Sequence, residues 1–198
     1  MGSKQIWQPL SLADLLELLR DIKIPWYVAG GWAIDLFIGH QTRLHEDLDI
    51  VIFRRDQQVL KRYLTNWDLQ ACDPPGSHRS WGVNEYLSNG INNVWCRKSP
   101  SSPWAFQIMF MDSEDNYWVF RRDQRIKCSI EDIGSTDLNG IPYLRPEIQL
   151  LFKATSLSRE KDALDFKHVI PHLTQSARGW LKKQLQVVNP KHPWLHGL

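Results

Sequence analysis

The amino-acid sequence predicts an α+β protein, in which a mixed β-sheet is flanked by helices and followed by a small helical C-terminal region. Three observations lead to this fold class. Apolar strand-like segments alternate with amphipathic helical segments as far as residue 65, residues 67–130 read as short strands joined by turns, and the last third is helical. We therefore predict one domain over residues 1–135 and a helical C-terminal domain over residues 136–198.

The N-terminal elements are marked by capping residues. A first helix is predicted over residues 11–22, because Ser11 can cap it and leucines recur at helical spacing. A short apolar strand follows at residues 26–29. A helix over residues 32–38 then ends at Gly39, a residue type that favours helix termination.

The middle of the chain supplies further strands. The β-branched run at residues 48–53 is typical of a central strand, and residues 55–65 are predicted to form a helix. The buried face of that helix is predicted to consist of Val59, Leu60, Tyr63 and Leu64. Residues 106–111 and 117–121 are predicted to pair as a hairpin across the turn at 113–116.

The last third reads as three helices. The first begins at Pro146, a residue type that suits a first helical turn. The second covers residues 160–169 and ends before Pro171, and the third covers residues 176–187.

Composition and charge limit the classes of function. Lys and Arg total 24 against 22 for Asp and Glu, and a net charge of +2 disfavours a protein that coats nucleic acid. No run of about 20 apolar residues predicts a membrane span. Three widely spaced cysteines form neither a disulfide framework nor a CxxC metal motif, so we expect reduced thiols and a cytoplasmic protein.

Gly30 and Gly31 stand between the first predicted strand and the second predicted helix. Glycine lets a backbone approach a phosphate closely, and a helix N-terminus adds N–H donors and the positive end of the helix dipole. Because any tight strand-to-helix turn could use the same residues, the glycine pair alone is a weak indication of phosphate binding.

Asp47 and Asp49 flank Leu48 at the start of the central strand. Side chains alternate along a strand, so both carboxylates lie on one face, with Cα atoms about 6.5–7 Å apart. Two carboxylates that converge to about 4 Å repel each other by about 4 kcal/mol at an effective dielectric constant near 20. Mg²⁺ removes that repulsion and accepts one or two carboxylates together with substrate phosphates. The alternative is a solvated strand end, where acidic pairs are common.

The combination of strand, glycine pair, helix and Asp-Leu-Asp strand resembles the nucleotidyltransferase superfamily with the polymerase-β-like fold. The residues of this segment are similar to those of the small antibiotic nucleotidyltransferases of the aminoglycoside 2″-adenylyltransferase and lincosamide type. The positions that carry this resemblance are Gly30, Gly31, Trp32, Asp35, Gly39, Thr42, Arg43, His45, Asp47 and Asp49. Residues 142–154 and 161–166 are similar to the helical C-terminal part of such proteins.

The resemblance implies transfer of a nucleoside monophosphate from an NTP, with ATP as the expected donor, to a hydroxyl of a small molecule. An aminoglycoside-like or lincosamide-like antibiotic is the acceptor that it suggests. Gly30 and Gly31 would then hold the nucleotide phosphates, and Asp47 and Asp49 would bind Mg²⁺. Metal-bridged phosphates make pyrophosphate a better leaving group.

Three cationic side chains are further candidates for nucleotide binding. Arg43 and His45 either contact phosphate or brace the loop by pairing with acidic residues. Lys153 either reaches a phosphate as a point charge or lies on a solvated helix face. Lys161 and Asp162 are interpreted as surface residues.

The position at which the superfamily places a third carboxylate is occupied by Gln107. A neutral amide cannot act as a general base and is a poor Mg²⁺ ligand. Either the substrate supplies the missing group, Asp112 or Glu85 substitutes, or catalysis is impaired.

Two other functions remain open from the sequence. The chain could modify a protein or RNA, as toxin–antitoxin nucleotidyltransferases do, or bind nucleotide without turning it over. The active cleft is expected between the two predicted domains. The tryptophans considered as walls for a base or sugar ring, with core packing as the alternative, are Trp32, Trp81, Trp95, Trp104 and Trp118.

Overall fold

A mixed ten-stranded β-sheet forms the centre of the molecule, in a computed structural model that describes residues 6–155 and 159–198. The strands are β1 (Trp26–Val28), β2 (Asp49–Phe53), β3 (Asp68–Ala71), β4 (Arg79–Ser80), β5 (Asn93–Arg97), β6 (Phe106–Glu114), β7 (Tyr117–Val119), β8 (Lys127–Ser129), β9 (Gly134–Thr136) and β10 (Pro142–Leu144). Eight of them follow the order β4-β3-β5-β6-β2-β1-β10-β9, while β7 pairs with β6 and β8. The predicted α+β fold class is confirmed.

Helices cover both faces of the sheet. They are α1 (Leu12–Leu18), α2 (Gly30–Ile38), α3 (Gln57–Tyr63), α4 (Pro146–Lys153), α5 (Glu160–Val169) and α6 (Gln175–Val188). Short 3₁₀ segments lie at Arg54–Asp56, Ile130–Asp132, Ile170–His172 and Pro193–Gly197. Ser11 accepts a hydrogen bond from the Asp14 N–H at the start of α1, and Gly39 ends α2 with a φ of 89°. Both predicted caps are confirmed.

Strand β2 separates two hydrophobic cores. Ile50 and Ile52 face a core that includes buried residues of α1 and α3, while Val51 and Phe53 face a core built largely from α4, α5 and α6. The alternation of a strand produces this division, because successive side chains point to opposite faces. Asp49 therefore lies on the face that carries the C-terminal helices.

Several predicted elements agree with the structure, and one predicted face is wrong. The hairpin between β6 and β7 is present, and α5 covers the predicted residues. Leu60 and Leu64 are buried as predicted, but Val59 and Tyr63 are each 37% exposed. Helix α3 has only two turns, so it buries a narrow i, i+4 stripe against the sheet rather than a broad face.

The predicted domain boundary at residue 135 falls within β9. Strand β10 pairs in parallel with β1, with Val28 opposite Tyr143, so the sheet continues past that boundary to Leu144. Division into two domains stays a prediction. Within the described ranges, no helix has the length and apolar character needed to cross a bilayer.

Candidate active site

The turn between β1 and α2 is shaped by its two glycines. Gly30 has a φ of +67°, and a Cβ placed on it would lie 2.6 Å from Oδ2 of Asp49. A Cβ on Gly31 would overlap the side chains of Arg43 and His45. The glycines therefore allow the Asp-Leu-Asp segment to lie directly against the start of α2.

Replacing Gly30 by Ala should lower the melting temperature and reduce any nucleotidyl transfer at least about tenfold. The left-handed conformation costs a non-glycine residue about 1–3 kcal/mol, and the added methyl group would displace the Asp49 carboxylate. Thermal unfolding and pyrophosphate release measure the two effects. Gly179→Ala is the matched control, since Gly179 lies inside α6 with open space at its Cβ position and alanine favours a helix. Equal behaviour of the two variants would contradict this account of Gly30.

Asp47 and Asp49 line a cleft together with both glycines. Burial and the charge of Asp47 raise the pKa of Asp49 to about 7, although the charges of Lys153, Lys161 and Arg159 act in the opposite direction. A raised pKa means that the second negative charge is poorly compensated by the protein. Two such carboxylates fit a divalent cation, which would relieve their repulsion.

The protein itself offers this cation few ligands. Within the described part of the chain, no group of three or more His, Cys, Asp or Glu side chains is arranged to hold a metal ion. Mg²⁺ commonly binds one or two carboxylates and completes its coordination with water and phosphate oxygens. The Asp47–Asp49 pair therefore suits a metal that arrives with a phosphorylated substrate.

Gln149 is a site residue that the sequence analysis missed. Its Oε1 accepts a hydrogen bond of 2.9 Å from the Gly30 N–H, and its side chain lines the cleft. Gln149 precedes Lys153 by four residues on α4, so both lie on one helix face. The four-residue spacing of Gln149 and Lys153 was the sequence pattern that could have identified Gln149 as a site residue.

Arg43 and Lys153 share one buried carboxylate. Arg43 donates from Nε to Oδ1 of Asp165 at 3.0 Å and from Nη2 to Oδ2 at 3.2 Å. Lys153 Nζ lies 2.7 Å from Oδ2 of Asp165 and donates to Asp162 at 2.9 Å. The cluster links the loop after α2 to α4 and α5. Both cations line the cleft, and the carboxylates of Asp162 and Asp165 on α5 hold them in place.

The surface interpretation of Asp162 is wrong. Its side chain is 2% exposed and forms an ion pair with Lys153, which is itself buried. The Asp162 carboxylate is buried because α5 packs against α4. The buried ammonium of Lys153 needs a charged partner, and Asp162 supplies it. Lys161, its neighbour, is half-buried and lines the cleft.

His45 makes the contacts of a residue that braces the loop. Its Nε2 lies 2.5 Å from Oδ2 of Asp35, its side chain is 2% exposed, and its ring packs on Trp32 at 4.5 Å. Thr42 donates to the same Asp35 carboxylate through both its N–H and its hydroxyl. Burial would raise the pKa of Asp35, but the bonds from His45 and Thr42 bring that pKa below its usual value. This cluster fixes the chain just before the Asp-Leu-Asp segment.

Three arginines in the cleft were also missed. Arg121 and Arg122 follow β7, and Arg159 precedes α5; all three line the cleft. With Arg43, Lys153 and Lys161 they make six cationic side chains around the cleft, against the three carboxylates of Asp47, Asp49 and Asp162. The adjacent Arg pair after a strand of the sheet was a signal, but local sequence does not tell which way a loop turns.

Gln107 lies beside Asp49. The two residues are opposite each other in the parallel β2–β6 pair, and Trp95 of β5 is opposite Gln107 on its other side. Gln107 lines a second depression that adjoins the cleft and shares Asn92, Asn93 and Arg121 with it.

The two acids considered as substitutes are engaged elsewhere. Asp112 accepts from Arg54 Nε at 2.7 Å, and Glu85 accepts from Arg79 at 2.8 and 2.5 Å. Neither lines the cleft that contains Asp49. Among the residues that the structure describes, Asp47, Asp49 and Asp162 are the carboxylates that line that cleft.

Most of the candidate tryptophans serve packing. Trp81, Trp104 and Trp118 are buried, and Trp32 packs on His45. Trp95 is half-buried and lines the second depression.

Comparison with known proteins finds similarity to antibiotic adenylyltransferases. Residues 11–71 match the model of the family described as aminoglycoside-2''-adenylyltransferase. A lincosamide resistance protein of Staphylococcus haemolyticus is 23% identical over 161 residues, which cover 78% of this chain and 89% of that protein. Residues 11–71, which match the family model, contain both glycines and the Asp-Leu-Asp segment.

Solved structures extend the similarity beyond that segment. The lincosamide antibiotic adenylyltransferase LnuA, solved with lincomycin bound, has a TM-score of 0.54 at 20% identity, covering 83% of this chain and 98% of its own. The solution structure of ANT(2'')-Ia has a TM-score of 0.58 at 13% identity, covering 94% and 95%. These findings confirm the predicted fold and the predicted resemblance to small antibiotic nucleotidyltransferases.

Proposed function

We propose that this chain is a Mg²⁺-dependent nucleotidyltransferase that moves a nucleoside monophosphate from an NTP, with ATP as the donor, to a hydroxyl of a small molecule. The observation that carries the proposal is the Asp47–Asp49 pair, held against a glycine turn in a cleft that six cationic side chains line. A cation-lined cleft attracts a triphosphate, and the carboxylate pair suits its metal.

Each group of residues has a distinct part in the proposed reaction. The first turn of α2 presents N–H groups to phosphate oxygens, and Gln149 fixes the orientation of the Gly30 peptide. Arg121, Arg122 and Arg159 hold the phosphates by charge, since each lines the cleft. When bound, Mg²⁺ supplies neutralisation of the charge that develops on the phosphates.

Arg43 and Lys153 combine binding with positioning. Both face the cleft, but their charges are largely balanced by Asp162 and Asp165. They therefore contribute less net attraction for a triphosphate than Arg121 and Arg122, whereas Arg159 is itself partly balanced by Asp162 at 3.5 Å. Their shared carboxylate holds the loop and α4 at a fixed separation.

The acceptor is proposed to be an antibiotic-like molecule with a free hydroxyl. The support is the similarity to the aminoglycoside-2''-adenylyltransferase family model, to a lincosamide resistance protein and to the structure of LnuA solved with lincomycin. We place the reaction in the cytoplasm, in keeping with the three free thiols of the chain.

Pyrophosphate release tests the proposed function. The protein is incubated with Mg²⁺ and each of the four NTPs, with and without pooled lincosamides and aminoglycosides. Acceptor-dependent release with ATP, and a mass increase of the acceptor by one AMP unit, are the expected results. Labelling of protein or RNA instead of a small molecule would identify a macromolecular acceptor. Nucleotide-induced thermal stabilisation without release would identify a binding protein.

Nucleotide binding without turnover is the second candidate function. Gln107 favours it, because the amide beside Asp49 cannot accept the proton of an acceptor hydroxyl. Asp112 and Glu85 are paired with arginines, so neither compensates. Transfer then depends on an acceptor that supplies its own base, or on slow loss of the proton to water.

Gln107→Glu should raise the rate of nucleotidyl transfer at least about tenfold, because a general base typically contributes about 10²–10⁴-fold. The rate is measured by pyrophosphate release at saturating ATP and acceptor. Gln70→Glu is the matched control. Gln70 of β3 pairs with Trp95 of β5, which in turn pairs with Gln107 of β6, so Gln70 lies two strands away from Gln107. A rise in both variants would point to a general charge effect, and no rise in either would remove Gln107 as the missing base.

A further inference from the structure

The second depression, which we call the acceptor pocket, supports an inference that extends the proposed function and rests on it. Its lining includes Cys72, Ser77, His78, Asn93, Trp95 and Gln107. It shares Asn92, Asn93 and Arg121 with the cleft that contains Asp49. A molecule seated there lies next to the proposed site of phosphoryl transfer, because Gln107 and Asp49 are direct neighbours in the sheet.

The lining of the acceptor pocket carries no negative charge. No carboxylate belongs to it among the residues that the structure describes, whereas Arg121 does. Burial raises the pKa of the Cys72 thiol to about 11, so this group stays uncharged at neutral pH. The nearby carboxylate of Asp73 accepts from Arg79 Nε at 2.9 Å, and Arg79 also holds Glu85. Both carboxylates are thus engaged by Arg79, and neither lines the pocket.

One wall of the acceptor pocket is aromatic and firmly packed. The Trp95 ring lies 4.3 Å from His78, 4.7 Å from Trp7 and 5.4 Å from Trp104, between ring centroids. Burial and the charge of Arg97 lower the pKa of His78, so its ring is neutral at pH 7. A half-exposed indole held by three rings offers a flat apolar face for a ring of the acceptor.

We propose that this pocket receives the hydroxyl acceptor, and that the part of the acceptor that enters it is a ring without positive charge. An ammonium group there would lose water, meet Arg121 and find no carboxylate to replace its hydration. A polycationic acceptor needs acidic walls, and this pocket lacks them along the described chain. A neutral ring that bears hydroxyls can stack on Trp95 and bond to the amides of Asn93 and Gln107.

A matched pair of probes tests the charge preference without requiring turnover. The probes are para-nitrophenyl β-glucoside and para-nitrophenyl β-glucosaminide, used in slightly acidic buffer so that the amine of the glucosaminide is protonated. They share the ring and then differ by a hydroxyl against an ammonium group. Binding is followed by NMR of the Trp95 indole N–H, assigned with Trp95→Leu, in the presence of Mg²⁺ and a non-hydrolysable ATP analogue. The neutral probe should bind the wild-type protein at least about fivefold more tightly than the glucosaminide. Trp95→Leu, which lacks the reporting indole and is measured by isothermal titration calorimetry instead, should bind the neutral probe about tenfold more weakly.

Ser77→Asp adds a carboxylate to the pocket, and Ser77→Asn is its uncharged control. Ser77→Asp should tighten binding of the glucosaminide about tenfold relative to Ser77→Asn and leave the glucoside nearly unchanged. Equal or tighter binding of the glucosaminide to the wild-type protein would overturn the proposal. So would failure of both probes to perturb Trp95, or the absence of a response to Ser77→Asp. Because these readouts need no transfer, failure of the proposed reaction is detected separately by pyrophosphate release.

Discussion

Replacing Asp49 by Asn should reduce nucleotidyl transfer at least about a hundredfold while the protein stays folded. The amide keeps the shape of the side chain but removes the charge that is proposed to hold Mg²⁺ beside the glycine turn. Pyrophosphate release at saturating ATP measures the loss. Titration of Mn²⁺ in the presence of a non-hydrolysable ATP analogue should show weakened metal binding, a readout that does not depend on turnover.

Stability separates this effect from misfolding. Because burial and Asp47 disfavour the ionised form of Asp49, the Asn variant should unfold at the same temperature as the wild-type protein or at a higher one. Asp21→Asn is the control, since Asp21 is exposed and follows α1 on the opposite face of the sheet. Undiminished transfer or undiminished Mn²⁺ binding in Asp49→Asn would refute the metal role.

Replacing Asp165 by Asn should lower the free energy of unfolding by about 3–5 kcal/mol, which is about 10 °C in melting temperature for a chain of this length. The Asp165 side chain is 1% exposed and balances both Arg43 and Lys153. Without its charge, the buried Lys153 keeps only Asp162 as a partner, and the half-buried Arg43 loses both of its bonds to a carboxylate. Thermal and urea unfolding measure the change. Glu114→Gln is the control, because its ion pair with Lys127 is exposed and is worth less than about 1 kcal/mol.

The loss in Asp165→Asn should depend on pH in a defined direction. Burial would raise the pKa of Asp165, but the bonds from Arg43 and Lys153 lower it below the usual value of 3.8. A carboxyl group with a lowered pKa stabilises the fold fully above its unfolded-state pKa, and this contribution fades as pH falls through its folded-state pKa. The difference between wild type and variant should therefore be largest at neutral pH and shrink below about pH 4. A constant difference across that range would contradict the ion-pair explanation.

Features of the fold that depend on local sequence were predictable, and features that depend on distant contacts were not. Caps, prolines and periodic leucines are local, and they placed the start of α1 and both ends of α2 and α5 to within two residues, although α1 ends at Leu18, four residues before its predicted end. The depth to which a helix is buried is set by its neighbours, and the exposed Val59 and Tyr63 illustrate that limit. The pairing of β1 with β10 joins residues more than a hundred positions apart, and no local pattern encodes it.

The same division holds for the candidate site. The glycine pair and the Asp-Leu-Asp segment lie within twenty residues, and their spacing together with the resemblance to nucleotidyltransferases identified them. Asp165 is 122 positions from Arg43, so their ion pair could not be inferred from either neighbourhood. Asp162 was misread because a carboxylate on an otherwise polar helix looks solvated until its buried lysine partner is known.

The bond between Gly30 and Gln149 bears on how such a chain can be recombined with its relatives. An exchange of residues 11–71 would carry the glycines and the carboxylate pair but leave Gln149, Lys153 and Asp165 behind. A transplanted loop would then meet helices shaped for another loop, and Arg43 would lose its partner unless the recipient supplied an acid at the same place. Viable chimaeras are expected to keep the segment from β1 to Asp165 as one inherited unit, with crossovers tolerated outside it.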